Sequence, residues 1–79
     1  MFEQIKEIVG TVLELEESQV DALTEDTDLL EIGLDSMTCV EIVVNLEAEF
    51  DITVEEEDLL VENMATIALL EELVKKYQA

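Results

Sequence analysis

The sequence predicts a small all-α domain, a four-helix bundle with three longer helices, a short third helix and a long first loop. Three observations support this fold class: apolar residues recur at helical spacing, oxygen-bearing residues that can cap a helix precede the later periodic segments, and the chain has no proline and only 2 glycines. A chain of 79 residues has room for one domain, which we expect to span residues 1–79.

The first predicted helix covers residues 3–15, because its aliphatic side chains share one face at three- and four-residue spacing. They are Ile5, Ile8, Val9, Val12 and Leu13. Residues 16–34 lack a clear period and are predicted to form the long first loop, folded over the core, with a helical turn near Ser18–Asp21. The aliphatic side chains expected to anchor this loop are Val20, Leu23, Leu29, Leu30, Ile32 and Leu34.

The second long helix is predicted to run to about Phe50 from Asp35 or Ser36, since either side chain can accept hydrogen bonds from the free amides of a helix start. Residues 51–54 form a connector. Thr53 and Glu56 then fit the capping-box pattern of a short third helix that continues to about residue 60.

The last predicted helix is capped by Thr66. Lys75 and Lys76 near its end complement the negative pole of the helix dipole. Its apolar side chains lie along one face: Ile67, Leu70, Val74 and Tyr77.

Charge is the strongest compositional signal, with 22 acidic residues, 3 basic residues and a formal net charge of −19. Such a surface repels nucleic acid and anionic membranes, so we expect neither as a partner. It favours fast association with a basic protein surface. The simpler interpretation is that the acidic residues only keep a small domain soluble.

Several function classes are excluded by residues that the chain lacks. Without histidine, Ser-His, Cys-His and His-metal chemistry is unavailable, so we expect no enzyme activity. One cysteine, no signal peptide at the start and no long apolar run indicate a cytoplasmic protein outside the membrane, which we expect to be a monomer. The stretch Asp26–Asp28 begins like a calcium loop, but Leu30 and Met37 occupy ligand positions, so no metal site is predicted.

The second long helix is apolar on two faces. Its core face is predicted to contain Cys39, Ile42, Val43, Leu46 and Phe50. A second stripe consists of Met37, Val40 and Val44, with Glu41 and Glu47 at its sides. Acids around an apolar stripe are typical of a docking surface. The alternative is that the stripe packs against the long loop. For Cys39, core packing is favoured over a reactive thiol.

Ser36 stands at the positive end of this helix. A serine at a helix start is most often only a cap, and with no base nearby it is not a nucleophile in its own right. A helix N-terminus also favours an attached phosphate. The position therefore suits a serine to which another enzyme attaches a phosphate-bearing group.

The stretch GLDSM at residues 33–37 resembles the Gly-x-Asp-Ser-Leu/Met signature of the acyl carrier protein and peptidyl carrier protein family, in a chain of matching length, helix order and acidity. The resemblance implies that Ser36, beside Asp35, carries 4′-phosphopantetheine, transferred from coenzyme A by a phosphopantetheinyl transferase. The thiol of this arm would hold acyl, ketide or aminoacyl groups as thioesters. The protein would be a carrier that moves its cargo among enzymes, not a catalyst.

The resemblance also implies a partner surface on the second long helix. Met37, Val40 and Val44 would contact partner enzymes, while Asp35, Glu41 and Glu47 would pair with basic residues of those partners. The partners implied are the transferase, an acyl- or aminoacyl-loading enzyme, and a ketosynthase or other synthase enzymes with basic docking patches.

Three positions depart from the pattern of housekeeping fatty-acid carriers. Such carriers usually have acids where this chain has Thr38 and Ala48, and leucine is commoner than Met37 after the serine. The departures favour polyketide, nonribosomal peptide or related specialised biosynthesis, with fatty acid synthesis as the alternative. An interpretation of another class is an unmodified acidic helical adaptor that binds a basic protein. It would keep the stripe and the charge but leave Ser36 as a cap only.

The charge generates the first prediction: added salt or magnesium raises the melting temperature, because screening reduces repulsion among the acidic side chains. Thermal unfolding followed by circular dichroism across a salt series measures this effect. An unchanged or lower melting temperature in salt would contradict the prediction.

Overall fold

Helices make up the regular structure of the described chain, residues 1–78 of a computed structural model, and no strand is present in that range. Ala79, the last residue of the expected domain, lies outside the described residues. The α-helices are α1 (Phe2–Val12), α2 (Glu17–Asp21), α3 (Ser36–Phe50) and α4 (Ile67–Tyr77). The 3₁₀ turns are Leu29–Ile32, Glu56–Asp58 and Val61–Asn63. The predicted all-α class with three longer helices is confirmed, while the short α-helix lies within the first loop.

The core forms where α1 packs against α3 and α4. Full burial of one aliphatic side chain stabilises a fold by about 1.5–3 kcal/mol, so this set supplies the main favourable free energy of folding. The largest fully buried side chains are Ile5, Val9, Leu29, Cys39, Ile42, Leu46, Met64, Ile67, Leu70 and Val74.

Helix α1 ends at Val12, so the predicted end at residue 15 is wrong. Leu13 and Leu15 both pack against the core, and residues two positions apart point to different sides of a helix. The chain resolves this conflict by leaving the helix: Glu14 adopts a positive φ of 54°. The amide of Leu15 then donates to the carbonyl of Gly10 at 2.9 Å.

The predicted helical turn near Ser18–Asp21 is confirmed as α2, whose start is closed by a reciprocal capping box between Glu16 and Gln19. Helix α2 approaches α1 closely at Gly10. A Cβ at that position would lie 2.5 Å from a methyl carbon of Val20, so glycine is required for this approach.

The rest of the first loop is attached to the start of α4 by backbone hydrogen bonds. The amide of Leu29 donates to the carbonyl of Ala65 at 2.8 Å, and the amide of Ala68 donates to the carbonyl of Glu25 at 3.1 Å. Of the aliphatic residues expected to anchor the loop, Leu23, Leu29 and Leu34 are buried, and Val20 and Ile32 are half-buried. Leu30 is 48% exposed, so its predicted anchoring role is wrong.

The predicted short third helix is not α-helical. Its segment contains the 3₁₀ turn Glu56–Asp58, which begins after Glu55 rather than at a Thr53 cap. Ile52 and Val54, on either side of the exposed Thr53, are both buried, an alternation that does not fit the first turn of a helix. The four consecutive acids at 55–58 also repel one another, which disfavours a continuous helix.

Helix α4 begins at the predicted cap, where the Thr66 side chain accepts a hydrogen bond from the Leu69 amide at 3.2 Å. Its last turn is fastened to the turn Glu56–Asp58 through Asp58. Lys76 Nζ lies 2.8 Å from Asp58 Oδ2, and the Tyr77 hydroxyl donates to the same oxygen. The Tyr77 oxygen also accepts from the Glu55 amide at 3.4 Å. We call Asp58, Lys76 and Tyr77 the C-terminal clamp.

The clamp generates the second prediction. Tyr77→Phe should lower the melting temperature by a few degrees, because it removes a donor to Asp58 and an acceptor for the Glu55 amide. Hydrogen bonds from Lys76 and then Tyr77 lower the pKa of Asp58 below its ordinary value. The clamp's contribution is therefore present above that ordinary pKa and is lost as the pH falls through the lowered value.

Thermal unfolding at neutral and at strongly acidic pH measures this difference, which should shrink in acid. The Asp58→Ala background is the control: there Tyr77→Phe should cost less, since the two residues share one contact. An equal loss in both backgrounds would mean that the contact between Tyr77 and Asp58 does not contribute to stability.

Candidate functional site

The start of α3 is capped by Asp35, which decides between the two caps that the sequence allowed. Asp35 Oδ1 accepts from the amide of Met37 at 3.0 Å and from the amide of Thr38 at 2.9 Å. Ser36 is the first residue of the helix and is exposed. Because Asp35 is the cap, the Ser36 hydroxyl is left available for other chemistry.

Thr38 completes the cap from inside the helix. Its hydroxyl oxygen accepts from the Asp35 amide at 2.8 Å and lies 3.2 Å from Asp35 Oδ1, to which the hydroxyl can donate. The amide of Thr38, together with the hydroxyl of Thr38 and the amide of Met37, stabilises the charged carboxylate and lowers the pKa of Asp35. Asp35 therefore stays ionised next to Ser36 at neutral pH.

The chain reaches this cap through a left-handed residue. Gly33 has a φ of 114°, a conformation that L side chains rarely adopt. The amide of Leu34 then donates to the carbonyl of Leu29 at 3.0 Å, and the Leu34 side chain is buried. The turn thus holds the start of α3 against the core on one side and leaves Ser36 on the surface.

The core face of α3 is as predicted. Cys39, Ile42, Val43 and Leu46 are buried, and Phe50 is half-buried against them. Burial raises the pKa of the Cys39 thiol, followed in size by the effect of the Asp35 charge, which suits a packed side chain rather than a reactive thiolate.

The second stripe of α3 is exposed, which excludes the alternative that it packs against the long loop. The exposed fractions are 75% for Met37, 48% for Val40 and 57% for Val44. Apolar side chains this exposed on one helix face form a surface that lowers its free energy when a partner covers it. We call Met37, Val40 and Val44 the apolar stripe.

The two acids predicted beside the stripe differ in their surroundings. Glu41 is exposed. Glu47 is half-buried, and its Oε2 accepts from the amide of Val54 at 2.8 Å. This bond ties the connector to α3, a structural role that the sequence did not indicate. The role of Glu47 in partner binding stays a prediction.

Residues 1–78 contain neither a metal-binding cluster nor a membrane-spanning helix. Within that range no group of three or more side chains is arranged to hold a metal ion. None of the helices in the described range combines the length and the apolar character that crossing a membrane requires.

Comparison with models of known protein families identifies the family of this chain. A family model described as "Phosphopantetheine attachment site" matches residues 3–74, which is nearly the whole chain. The chain belongs to the phosphopantetheine-binding carrier family. The carriers of this family are not themselves catalysts, and the prediction drawn from the GLDSM stretch is confirmed at the level of the family.

Individual carriers support this membership. The chain is 39% identical over 79 residues to acyl carrier protein 2, chloroplastic, of Spinacia oleracea, covering 100% of this chain and 55% of that protein. It is 32% identical over 77 residues to the acyl carrier protein of Thermotoga maritima, covering 96% of this chain and 89% of that protein. It is 32% identical over 71 residues to aminoacyl carrier protein 1 of Bradyrhizobium diazoefficiens, covering 90% of this chain and 78% of that protein. The chain spans about half the length of its plant relatives.

The start of α3 in this carrier fits an attached phosphopantetheine. Ser36 is exposed, so attachment at this residue would displace no packed side chain. A phosphodiester attached at this first residue of α3 would lie at the positive end of the helix dipole, worth about 0.3–1 kcal/mol at an exposed site. The carboxylate of Asp35, next to Ser36, is held in place by the amides of Met37 and Thr38.

The exposed stripe of this carrier generates the third prediction. Met37→Ala should change the free energy of unfolding by less than about 0.5 kcal/mol, since the side chain is on the surface, yet slow loading or later processing by partner enzymes. Chemical unfolding and the loading rate measure the two effects.

Two controls separate the surface from the core. Leu69→Ala removes an exposed apolar side chain from α4 and should leave loading unchanged. Met64→Ala removes a fully buried methionine and should destabilise by about 2–5 kcal/mol. If Met37→Ala lost stability and loading to the same degree, the stripe would be part of the fold rather than a docking surface.

Proposed function

We propose that the protein carries acyl-type intermediates on a 4′-phosphopantetheine arm attached to Ser36 and presents them to successive enzymes. The observation that carries the proposal is the position of Ser36: it is exposed, it is the first residue of α3, and Asp35 rather than Ser36 makes the cap. The family match supplies the identity of the group attached.

Loading requires another enzyme, because the Asp35 carboxylate beside Ser36 accepts from the amides of Met37 and Thr38 and forms no hydrogen bond with the Ser36 hydroxyl. In this step Ser36 Oγ forms a bond to the phosphorus next to the pantetheine of coenzyme A. The bond from that phosphorus to the bridging oxygen breaks, and the nucleotide half leaves with the bonding electron pair. A base of the phosphopantetheinyl transferase takes the serine proton. When attached, the group supplies a terminal thiol that holds the cargo as a thioester.

This chain's own residues position the serine and recruit the partners. Asp35 fixes the first turn of α3 and hence the direction in which Ser36 faces. We propose that the apolar stripe is covered by each partner in turn, with Asp35, Glu41 and Glu47 opposite basic residues of the partner. A net charge of −19 steers such partners to the surface over long distances.

The partners proposed are a phosphopantetheinyl transferase, an acyl- or aminoacyl-loading enzyme, and a ketosynthase or other synthase enzymes. We propose that the chain acts as a monomeric single domain, 1–79, in the cytoplasm, with no nucleic-acid or membrane partner. The charge supports the last two exclusions.

For the pathway, we propose polyketide, nonribosomal peptide or related specialised biosynthesis. Thr38 and Ala48 make α3 less acidic than the chain as a whole, which supports partners with fewer basic contacts. The aminoacyl carrier protein among the relatives is consistent with cargo other than fatty acids. Housekeeping fatty acid synthesis is the alternative, supported by the acyl carrier proteins of Spinacia oleracea and Thermotoga maritima.

The fourth prediction tests the carrier function. Incubation with coenzyme A and a broad-specificity phosphopantetheinyl transferase should add the mass of one phosphopantetheine, because only an exposed hydroxyl at the start of α3 is presented to the enzyme. Intact mass spectrometry measures the change. Ser36→Ala should fold normally and gain no mass.

Ser18→Ala is the matched control, since Ser18 is the other serine of the chain and is exposed in α2. It should be loaded like the unmodified sequence. A folded sample that gains no mass with two different transferases would replace the carrier function by that of an unmodified adaptor.

A further inference from the structure

The hydroxyl of Thr38 contacts several backbone and side-chain groups at the start of α3, although Thr38 lies between the exposed stripe residues Met37 and Val40. Its hydroxyl oxygen accepts from the Asp35 amide at 2.8 Å, lies 3.2 Å from both Asp35 Oδ1 and the Asp35 carbonyl oxygen, and lies 3.5 Å from the Gly33 carbonyl oxygen. The side chain is half-buried, unlike Ser36 and Met37 beside it. One hydroxyl therefore connects the turn before α3 to the first turn of the helix.

These contacts act on both sides of Ser36. The Asp35 carboxylate is held by two backbone donors, and the Thr38 hydroxyl can supply a third. The same hydroxyl holds the Asp35 amide, which is the peptide group one residue before Ser36. Fixing the backbone before and after a residue restricts the directions that its side chain can take, so Thr38 limits where Ser36 Oγ points.

Thr38 also affects the charge next to the serine. The diphosphate of coenzyme A is negative, and a carboxylate beside the attacking hydroxyl repels it. Donors aimed at the Asp35 carboxylate reduce the charge that faces the incoming group. Threonine does this without adding a second negative charge, which an aspartate or glutamate at residue 38 would bring.

We propose that Thr38 is a positioning residue for the loading of Ser36, acting through Asp35 and without contact to coenzyme A. This inference rests on the proposed function, since it concerns the same serine. It assigns the hydroxyl of Thr38 a role in the rate of phosphopantetheine transfer that is separate from its effect on stability.

The test compares Thr38→Val, which keeps the shape and loses the hydroxyl, with Thr38→Ser, which keeps the hydroxyl. At a temperature well below unfolding, Thr38→Val should lower kcat for loading by about tenfold, the effect of one hydrogen bond to a charged group. The KM for the carrier should stay within about twofold, because the apolar stripe is untouched and Asp35 keeps its negative charge at neutral pH. Thr38→Ser should restore kcat.

A second readout follows the carboxylate itself. Carbon-detected NMR titration of unloaded protein should show the pKa of Asp35 closer to its ordinary value in Thr38→Val, because a donor to the charged form is gone. Thr53→Val is the matched control: it removes an exposed threonine hydroxyl from the connector and should change neither kcat nor this pKa. Thr38→Ala repeats the comparison if the valine variant is not folded by circular dichroism.

The outcomes separate this inference from the carrier function. Loading of the unmodified sequence together with unchanged kcat in Thr38→Val would overturn the role of Thr38 and leave the carrier function standing. A lower kcat that Thr38→Ser does not restore would also overturn it. No loading of the unmodified sequence would overturn both.

Discussion

Burial of one face of α3 is the constraint on which the site depends. Ile42 and Leu46 are fully buried, and α1 packs against this helix, so its rotation about its own axis is fixed. Because the helix is rigid, the orientation that buries its core face also determines which side chains face the solvent. Met37, Val40 and Val44 are exposed because the opposite side of the same helix makes the core. The fold therefore needs no additional contacts to keep the apolar stripe exposed.

The parts of the fold that sequence reasoning predicted are those set by residues close together in the chain. The span and the core face of α3 follow from side-chain spacing, and the structure has both. Spacing also groups Met37, Val40 and Val44 into one stripe, but its exposure and the choice of Asp35 over Ser36 as the cap come from the structure. Thr66 as the cap of α4 was equally local. The GLDSM signature around Ser36 is recognisable for the same reason, since it consists of five consecutive residues, 33–37.

The parts that could not be predicted depend on groups distant in sequence or on competing local preferences. Leu29 anchors the loop partly through the Ala65 carbonyl, a pairing that no sequence pattern announces. Thr53 fits a capping box, but burial of its two neighbours prevailed over that local preference. In the site, helical spacing predicts Glu47 only as an acid beside the stripe, since spacing says nothing about the Val54 amide that Glu47 binds.

The C-terminal clamp has a consequence for how the molecule opens. Residues 55–63 contain only single 3₁₀ turns, which hold few amides of their own, and they are joined to the last turn of α4 through Asp58. Local unfolding of either segment breaks this shared contact, so opening of one lowers the free energy needed to open the other. We therefore expect residues 55–63 and the last turn of α4 to open together, and more readily than α1 and α3, which pack against each other in the core.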